Sequence, residues 1–353
     1  MLEGPQAQRL GPAPGTQIAS VGDCMRRPNP RPVDAQPLGI ADFESVLPLV
    51  RQHQFKPYRN YRTLTARAQE EVLVADIKAT LLHPDAFAYV AGSGQPSAAV
   101  IARRLAWDSN FFGVPMARIE YLLGEEPVTC EAVLQACLEA FRHAGVLHTA
   151  ARIDVADMAT TALLESYGFR LVGGLVTYVA RPAKEGVKLV RQFGNIRYAT
   201  ESDGPELAQI AEAAFKGARS RFHNDPHLPR DRADKLYGEW ARRCISGEMA
   251  ETVLVAEGRN GRLLGFLAFR RCEPVSTVSG VPIYGSGLGA CRPGTMGAYP
   301  GLIRSGSIWA HERGGVAELQ AFNNNFNATS IFEAIGFHCR RAEYNFHLWL
   351  GDG

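Results

Sequence analysis

The sequence predicts a mixed α/β (α+β) chain built from two tandem copies of one domain, each a mostly antiparallel twisted sheet flanked by helices. Three observations predict it. Read by hydrophobic period, each half runs β-α-α-β-β-β-α-β-α-β. Each half closes with a short helix ending in Gly-Phe, at Tyr167-Gly168-Phe169 and again at Ile335-Gly336-Phe337. The 353 residues, 46% hydrophobic and 21% charged, have ordinary globular composition and a length suited to about two domains.

Residues 1–38 hold seven of the 21 prolines and few large apolar side chains, so they are expected to be a disordered leader. The first domain is placed at 39–183. Ala86–Val90 and Ala98–Ala102 read as strands. Val133, Cys137 and Phe141 share a helical face over 130–144, with Gly145 placed to end the helix. His148–Val155 is a strand, a short helix runs through Leu163 and Leu164, and Leu175–Val179 is another strand. The polar stretch after Arg181 is read as the linker, assigned to 184–193.

The second domain, 194–353, opens with a strand at Ile196–Ala199. Asp203 followed by Glu206 reads as a capping box, and the helix after it buries Leu207, Ile210, Ala211, Ala214 and Phe215. A second helix carries Ala233, Leu236, Tyr237, Trp240 and Cys244 on one face. Two strands flank Asn260-Gly261, a hairpin signal. A glycine-rich segment (285–301), a helix (298–313), a strand (316–322), a helix (327–335) and a last strand (340–349) follow.

Lys and Arg outnumber Asp and Glu by 38 to 36, which argues against nucleic acid as the partner. The pairs Arg103-Arg104, Arg242-Arg243 and Arg340-Arg341 are short and scattered, and they read as solvated faces. No apolar run reaches the ~20 residues of a membrane span. Seven cysteines without a CxxC pair speak against a disulfide framework or a zinc site. The expectation is a cytoplasmic protein with no metal and no membrane or nucleic-acid partner.

Two segments carry chemistry. Arg292-Pro293-Gly294-Thr295-Met296-Gly297-Ala298 lies between a strand and a helix. Small residues let a ligand approach the backbone, and amides at a helix start favour anions such as a pyrophosphate; a plain turn is the alternative. The second is Asn323-Asn324-Asn325-Phe326-Asn327-Ala328. Asn327 is the expected N-cap, which leaves Asn325 for a ligand.

With the element order, these segments make the C-terminal half resemble the GNAT acyltransferases, the acyl-CoA-dependent N-acetyltransferase superfamily. Its phosphate loop has the form Gln/Arg-x-x-Gly-x-Gly/Ala; Arg292, Gly297 and Ala298 fit, and Thr295 replaces the first glycine. Its later signature is met by Asn325, Ala328, Ile331, Gly336 and Phe337. Trp107-Asp108-Ser109-Asn110-Phe111-Phe112-Gly113 is similar to the opening of the dTDP-fucosamine (dTDP-4-amino-4,6-dideoxygalactose) acetyltransferases, as is Ser220-Arg221-Phe222-His223-Asn224-Asp225-Pro226 to their acceptor-side loop.

The resemblance implies an N-acyltransferase using acetyl-CoA or another acyl-CoA as co-substrate. Pantetheine would run along Gly287, Leu288 and Gly289, amides at Gly294–Ala298 would hold the pyrophosphate, and Asn325 and Phe332 would complete the donor site. A backbone N–H would stabilise the oxyanion while a neutral amine attacks the thioester directly. Ser220, Arg221, His223, Asp108 and Asn110 would meet the acceptor, an amino-sugar nucleotide. For Arg221 the alternative is an ion pair with Asp225, for Asp108 and Asn110 a turn, and for Tyr237 and Trp240 the core. The first half would be degenerate and shape the acceptor pocket. Two departures stand out. The tyrosine expected to protonate the thiolate is Phe332, and Leu171-Val172-Gly173-Gly174 offers no carboxylate near the amine. Tyr344 and His347, on opposite faces of the last strand, are the candidate substitutes; a packed aromatic and a satisfied histidine are the other readings. An amino acid, polyamine or natural-product amine as acceptor, or a scaffold without turnover, stay open.

Overall fold

The computed structural model describes residues 34–92, 94–180 and 193–351. In the first half the strands are β1 (Ala35–Pro37), β2 (Ala86–Ala91), β3 (Ala98–Arg104), β4 (Met116–Gly124), β5 (His148–Asp154) and β6 (Arg170–Val179), with helices α1 (Leu47–Gln52), α2 (Ala66–Leu81), α3 (Ala106–Phe112), α4 (Pro127–His143) and α5 (Met158–Ser166). The second half has β7 (Asn195–Tyr198), β8 (Thr252–Glu257), β9 (Leu263–Arg271), β10 (Ile283–Cys291), β11 (Val316–Phe322) and β12 (His338–Trp349). Its helices are α6 (Gly204–Phe215), α7 (Arg221–Asn224), α8 (Arg230–Ile245), α9 (Val275–Ser279), α10 (Tyr299–Glu312) and α11 (Phe326–Ile335). The expected element order is present in both halves. One short helix is added at the same place in each, α3 and α9, and α7 lies between α6 and α8.

All twelve strands form one sheet in the order β1-β2-β3-β4-β5-β12-β6-β11-β10-β9-β8-β7. The two halves exchange their final strands. β12 lies antiparallel between β5 and β6, and β6 pairs with β11 of the second half. In the second half, α6 and α8 cover one face with Leu207, Ile210, Leu236 and Tyr237. The other face carries α10 and α11 with Leu302, Ile303, Phe332 and Ile335. In the first half, α4 buries Val133, Cys137 and Phe141 against the sheet.

The repeated Gly-Phe has a local cause. Gly168 and Gly336 take positive φ angles of 83° and 107°, where glycine bears no Cβ penalty. The N–H of Phe169 donates to the Leu164 carbonyl at 3.1 Å, and that of Phe337 to Phe332 at 2.9 Å, the six-to-one bond of a Schellman cap. Both phenylalanines are buried.

Some expectations are corrected. The leader was expected to run to residue 38, but Ala35–Pro37 pairs antiparallel with Tyr89–Ala91, and Leu38 is buried; a short edge strand carries no periodic signal. Residues 1–33, and the expected linker apart from Phe193, lie outside the described residues. The capping box is formed by Thr200 and Asp203, which frees Glu206 for another partner.

Candidate active site

β10 and β11 are parallel, but they pair only from Ile283–Gly285 against Val316–Glu318. Beyond Gly285 they part. β10 stays bonded to β9, with a bulge at Gly287 between Ser286 and Leu288. A cavity of about 160 Å³ opens at the parting, lined by Ser286, Gly287, Leu288 and Gly289 from β10, by Gln320 and Phe322 from β11, and by Asn325, Tyr299, Tyr237 and Asn345. At Gly289 a Cβ would fall 2.6 Å from Leu267 Cδ1 and 3.0 Å from the Tyr299 hydroxyl, so no larger residue fits without displacing a buried neighbour.

The loop after β10 is held by its own bonds. The Arg292 N–H donates to the Leu264 carbonyl at 2.8 Å, Thr295 N–H to Arg292 at 2.9 Å, and Ala298 N–H to Thr295 at 2.9 Å. The Thr295 hydroxyl reaches the carbonyls of Leu264 and Arg292, each at 2.7 Å. Among the described residues, the amides of Gly294, Met296 and Gly297 are not used by these turns, and they stand where α10 begins. A helix start attracts anions. Gly294 takes a φ of +83°, and a Cβ on Gly297 would meet the Phe193 ring at 3.2 Å. The expectation for this loop is corrected in two respects. The amides of Thr295 and Ala298 are spent internally, with the Ala298 side chain buried. The Arg292 guanidinium is engaged by Glu206 at 2.6 Å and the Leu263 carbonyl at 3.1 Å.

Asn325, not Asn327, caps α11: its Oδ1 accepts from the Ala328 N–H at 3.2 Å. Its amide still borders the cavity. Phe332 is fully buried, 5.5 Å from the Tyr178 ring and 6.4 Å from Tyr299, and it packs behind the cleft wall. An apolar ring without a hydroxyl gains most from that burial.

Neither expected substitute acid stands in the cavity. Tyr344 packs with Phe346 and Leu348 on the first-half core, opposite to Asn345. His347 shares the Asn345 face, yet its Nδ1 is 2.7 Å from Asp225 Oδ2. Asp225 also accepts from Trp349 Nε1 at 3.0 Å and from the His227 N–H at 3.0 Å, and His148 Nε2 lies 3.5 Å away. These donors hold its carboxyl well below the usual range. Ligand-type atoms of His148, Asp225 and His347 all lie within 4.8 Å of one another, a cluster no local spacing announces. The carboxylate's bonds to N–H groups make it a hydrogen-bonding hub between β5, β12 and the loop after α7. It also displaces the expected Arg221–Asp225 pair.

Arg221 is partly buried beside the cavity, 4.2 Å over the Phe222 ring and a loose 3.7 Å from Asp108. Arg152 of β5 also lines the cavity and donates to Asn345 Oδ1 at 3.2 Å. Burial lowers its pKa to about 10, so it stays charged at neutral pH. Sequence reading missed Arg152; one arginine inside the apolar run His148–Val155 was the available signal. Asn110 is exposed on α3 and is not among the cavity's lining residues. Phe112 stacks on Phe222 at 5.2 Å, and Arg232 donates to the Phe111 carbonyl at 2.7 Å; the Trp-Asp-x-x-Phe-Phe segment is thus a helix wedged against α8. A Cβ on Gly174 would lie 2.6 Å from Asn323 Nδ2, which is why no carboxylate stands there.

The first half shows the same parting of β4 and β5, which pair only from Met116 to Ile119. There the gap is lined by charged groups including Arg118, Glu120, Asp154 and Glu343. Glu125 and Glu126 precede α4, where an anion would be repelled.

A parted parallel pair leading into a helix start is the arrangement of the GNAT fold, and the chain carries two tandem copies of that fold. No family model matches it. It is 29% identical to a dTDP-fucosamine acetyltransferase of Escherichia coli O6:H1 over 210 residues, covering 60% of this chain and 80% of that protein. It is 26% identical over 155 residues to the spore coat polysaccharide biosynthesis protein SpsD of Bacillus subtilis, spanning 42% of this chain and about half (48%) of that protein. The GCN5-related N-acetyltransferase of Sphaerobacter thermophilus has a TM-score of 0.59 at 14% identity, over 92% of this chain and 98% of that one. A tandem GNAT protein from the clavulanic acid biosynthesis pathway has 0.54 at 14%, over 91% and 99%. No helix of the described residues is long and apolar enough to cross a membrane.

Proposed function

We propose that the chain transfers an acyl group, acetyl in the first instance, from acyl-CoA to the primary amine of a nucleotide-linked amino sugar. The parting of β10 from β11 beside Gly289 carries this reading, because it opens backbone edges along which an extended pantetheine can hydrogen-bond as an added strand. The amides of Gly294, Met296 and Gly297 hold the pyrophosphate at the start of α10. An N–H of the bulged Gly287–Gly289 stretch receives the oxyanion, a contribution typically worth 10²–10³-fold in kcat.

The acceptor assignment rests on charge. Arg152 and Arg221 bring two partly buried guanidinium groups to the cavity; Asp108 lies a loose 3.7 Å from Arg221, and Glu343 attracts Arg152. Guanidinium forks suit diphosphate oxygens. The curated relative that acts on dTDP-fucosamine supports the same acceptor class.

Calorimetric titration with acetyl-CoA tests the donor site; no heat at millimolar ligand sinks the reading. Release of CoA thiol is then followed with dTDP-4-amino-4,6-dideoxygalactose, a free amino acid and a polyamine in parallel. Turnover confined to the last two overturns the nucleotide assignment.

A further inference from the structure

The cavity in the first half and the cavity at the β10–β11 parting stand on one uninterrupted sheet face. In cross-strand register Asp154 of β5 lies opposite Glu343 of β12, Glu343 opposite Leu175 of β6, and Leu175 opposite Phe322 of β11. Residues paired in this way share a face. Asp154 and Glu343 line the first cavity, and Leu175 and Phe322 line the second. The row crosses three strand spacings, about 14 Å. Arg152, two residues along β5 from Asp154, is common to both cavities. At about 250 and 160 Å³, neither alone reaches the ~300 Å³ at which ligand pockets begin; as one groove they do.

The charge on Arg152 is left available. Its guanidinium donates to Asn345 Oδ1 at 3.2 Å, on the residue opposite it in register. Its neighbours in the first cavity are ion-paired: Arg118 has Glu120 at 2.6 Å and Arg341 has Glu343 at 3.3 Å. A neutral amide fixes the fork and leaves its charge for an anion, with Glu343 attracting it from further off. Beyond Arg152 the lining changes. Phe55 and Tyr58 bring half-buried rings, and Glu343 Oε2 is buried without a hydrogen bond. An aromatic face suits a nucleobase, and a bare carboxylate oxygen suits its N–H or a sugar hydroxyl. Glu125 and Glu126, just before α4, repel a pyrophosphate there and argue against a second donor site.

We propose that the acceptor lies along this groove, with its nucleoside in the first-half cavity against Phe55 and Tyr58, its diphosphate on Arg152 at the seam, and its amine at the β10–β11 parting. The placement rests on the amino-sugar nucleotide reading, and it gives the first half a binding role of its own. Asn345 is then a positioning residue, which aims Arg152 without neutralising it.

The probe is dTDP alone, titrated calorimetrically into the full chain. Wild type is expected to bind it. Phe55→Ala is expected to weaken that binding about 10-fold, and so is Phe55→Leu, which keeps the apolar packing. The Kd for acetyl-CoA is expected to stay unchanged in both, which also reports that they are folded. Asn345→Asp gives Arg152 a carboxylate partner and is expected to weaken dTDP about 10-fold. A loss in Trp240→Ala with none in either Phe55 variant would seat the base at the other end of the groove and overturn the placement. So would the absence of dTDP binding at millimolar concentration. Binding as expected, with no thiol released from acetyl-CoA and dTDP-4-amino-4,6-dideoxygalactose, leaves the nucleoside where it is placed and counts against the acyl-transfer reading instead.

Discussion

The Arg292 guanidinium donates to the Glu206 carboxylate at 2.6 Å, tying the loop that starts α10 to α6, a helix on the opposite face of the sheet. Both groups are partly exposed, at 20% and 33%, so the pair is worth no more than about 1 kcal/mol. Glu206→Ala is therefore expected to weaken acetyl-CoA binding by no more than ~5-fold and to leave the fold intact. Calorimetry checks this; loss of all binding would mean that Glu206 itself meets the ligand.

Gly289→Ala places a methyl group against Leu267, which is fully buried, and against the Tyr299 hydroxyl. Overpacking of this kind costs about 1–3 kcal/mol, and Gly289→Val more. Urea unfolding should show the loss, with donor binding falling in step. An unchanged midpoint and an unchanged Kd would place Gly289 outside the donor cleft.

Acid should weaken the fold through two histidines. Burial lowers His347 to about 4 and His53 to about 4, against 6.5 when unfolded. Between those values the unfolded chain binds protons that the folded chain refuses, so stability falls as pH drops from 6.5 toward 4. Each histidine contributes about 2 kcal/mol of loss by pH 5. Asp76, held upward by burial, works weakly in the other direction. Asp225, held down, adds its loss only below the ordinary carboxylate range. Urea midpoints at pH 7 and pH 5 measure the effect, and His347→Gln should flatten part of the slope. Equal stability at the two pH values would contradict it.

Stopping the chain after Phe337 removes β12. That leaves β5 and β6 as two long edges, each liable to pair with another molecule. The expected outcome is aggregated material in gel filtration, although every helix survives in the sequence. A soluble monomer would show that β5 and β6 can close on each other.

What was legible in the sequence was local. The spacing of Val133, Cys137 and Phe141 placed a helix, Asn260-Gly261 placed a hairpin, and two glycines in positive φ marked both closing helices. Alternation put Tyr344 and His347 on opposite faces of the last strand, as found, but it carried no information about which face met the cleft. Asp225, His148 and His347 converge from three distant segments, and no period encodes that. Asn325 took the cap expected of Asn327 because either asparagine suits the chemistry. Glu206 left its expected box because Thr200 and Asp203 form it instead, and it pairs with Arg292, far along the chain.

Strand exchange also sets the timetable of maturation. His148 pairs with Trp349 and Asp154 with Glu343, so the first lobe's sheet stays unfinished until β12 has left the ribosome. Contacts of such span are slow to close. Nascent chains would then need β5 and β6 shielded until β12 emerges, and yield in cells should respond more to chaperone supply than to temperature.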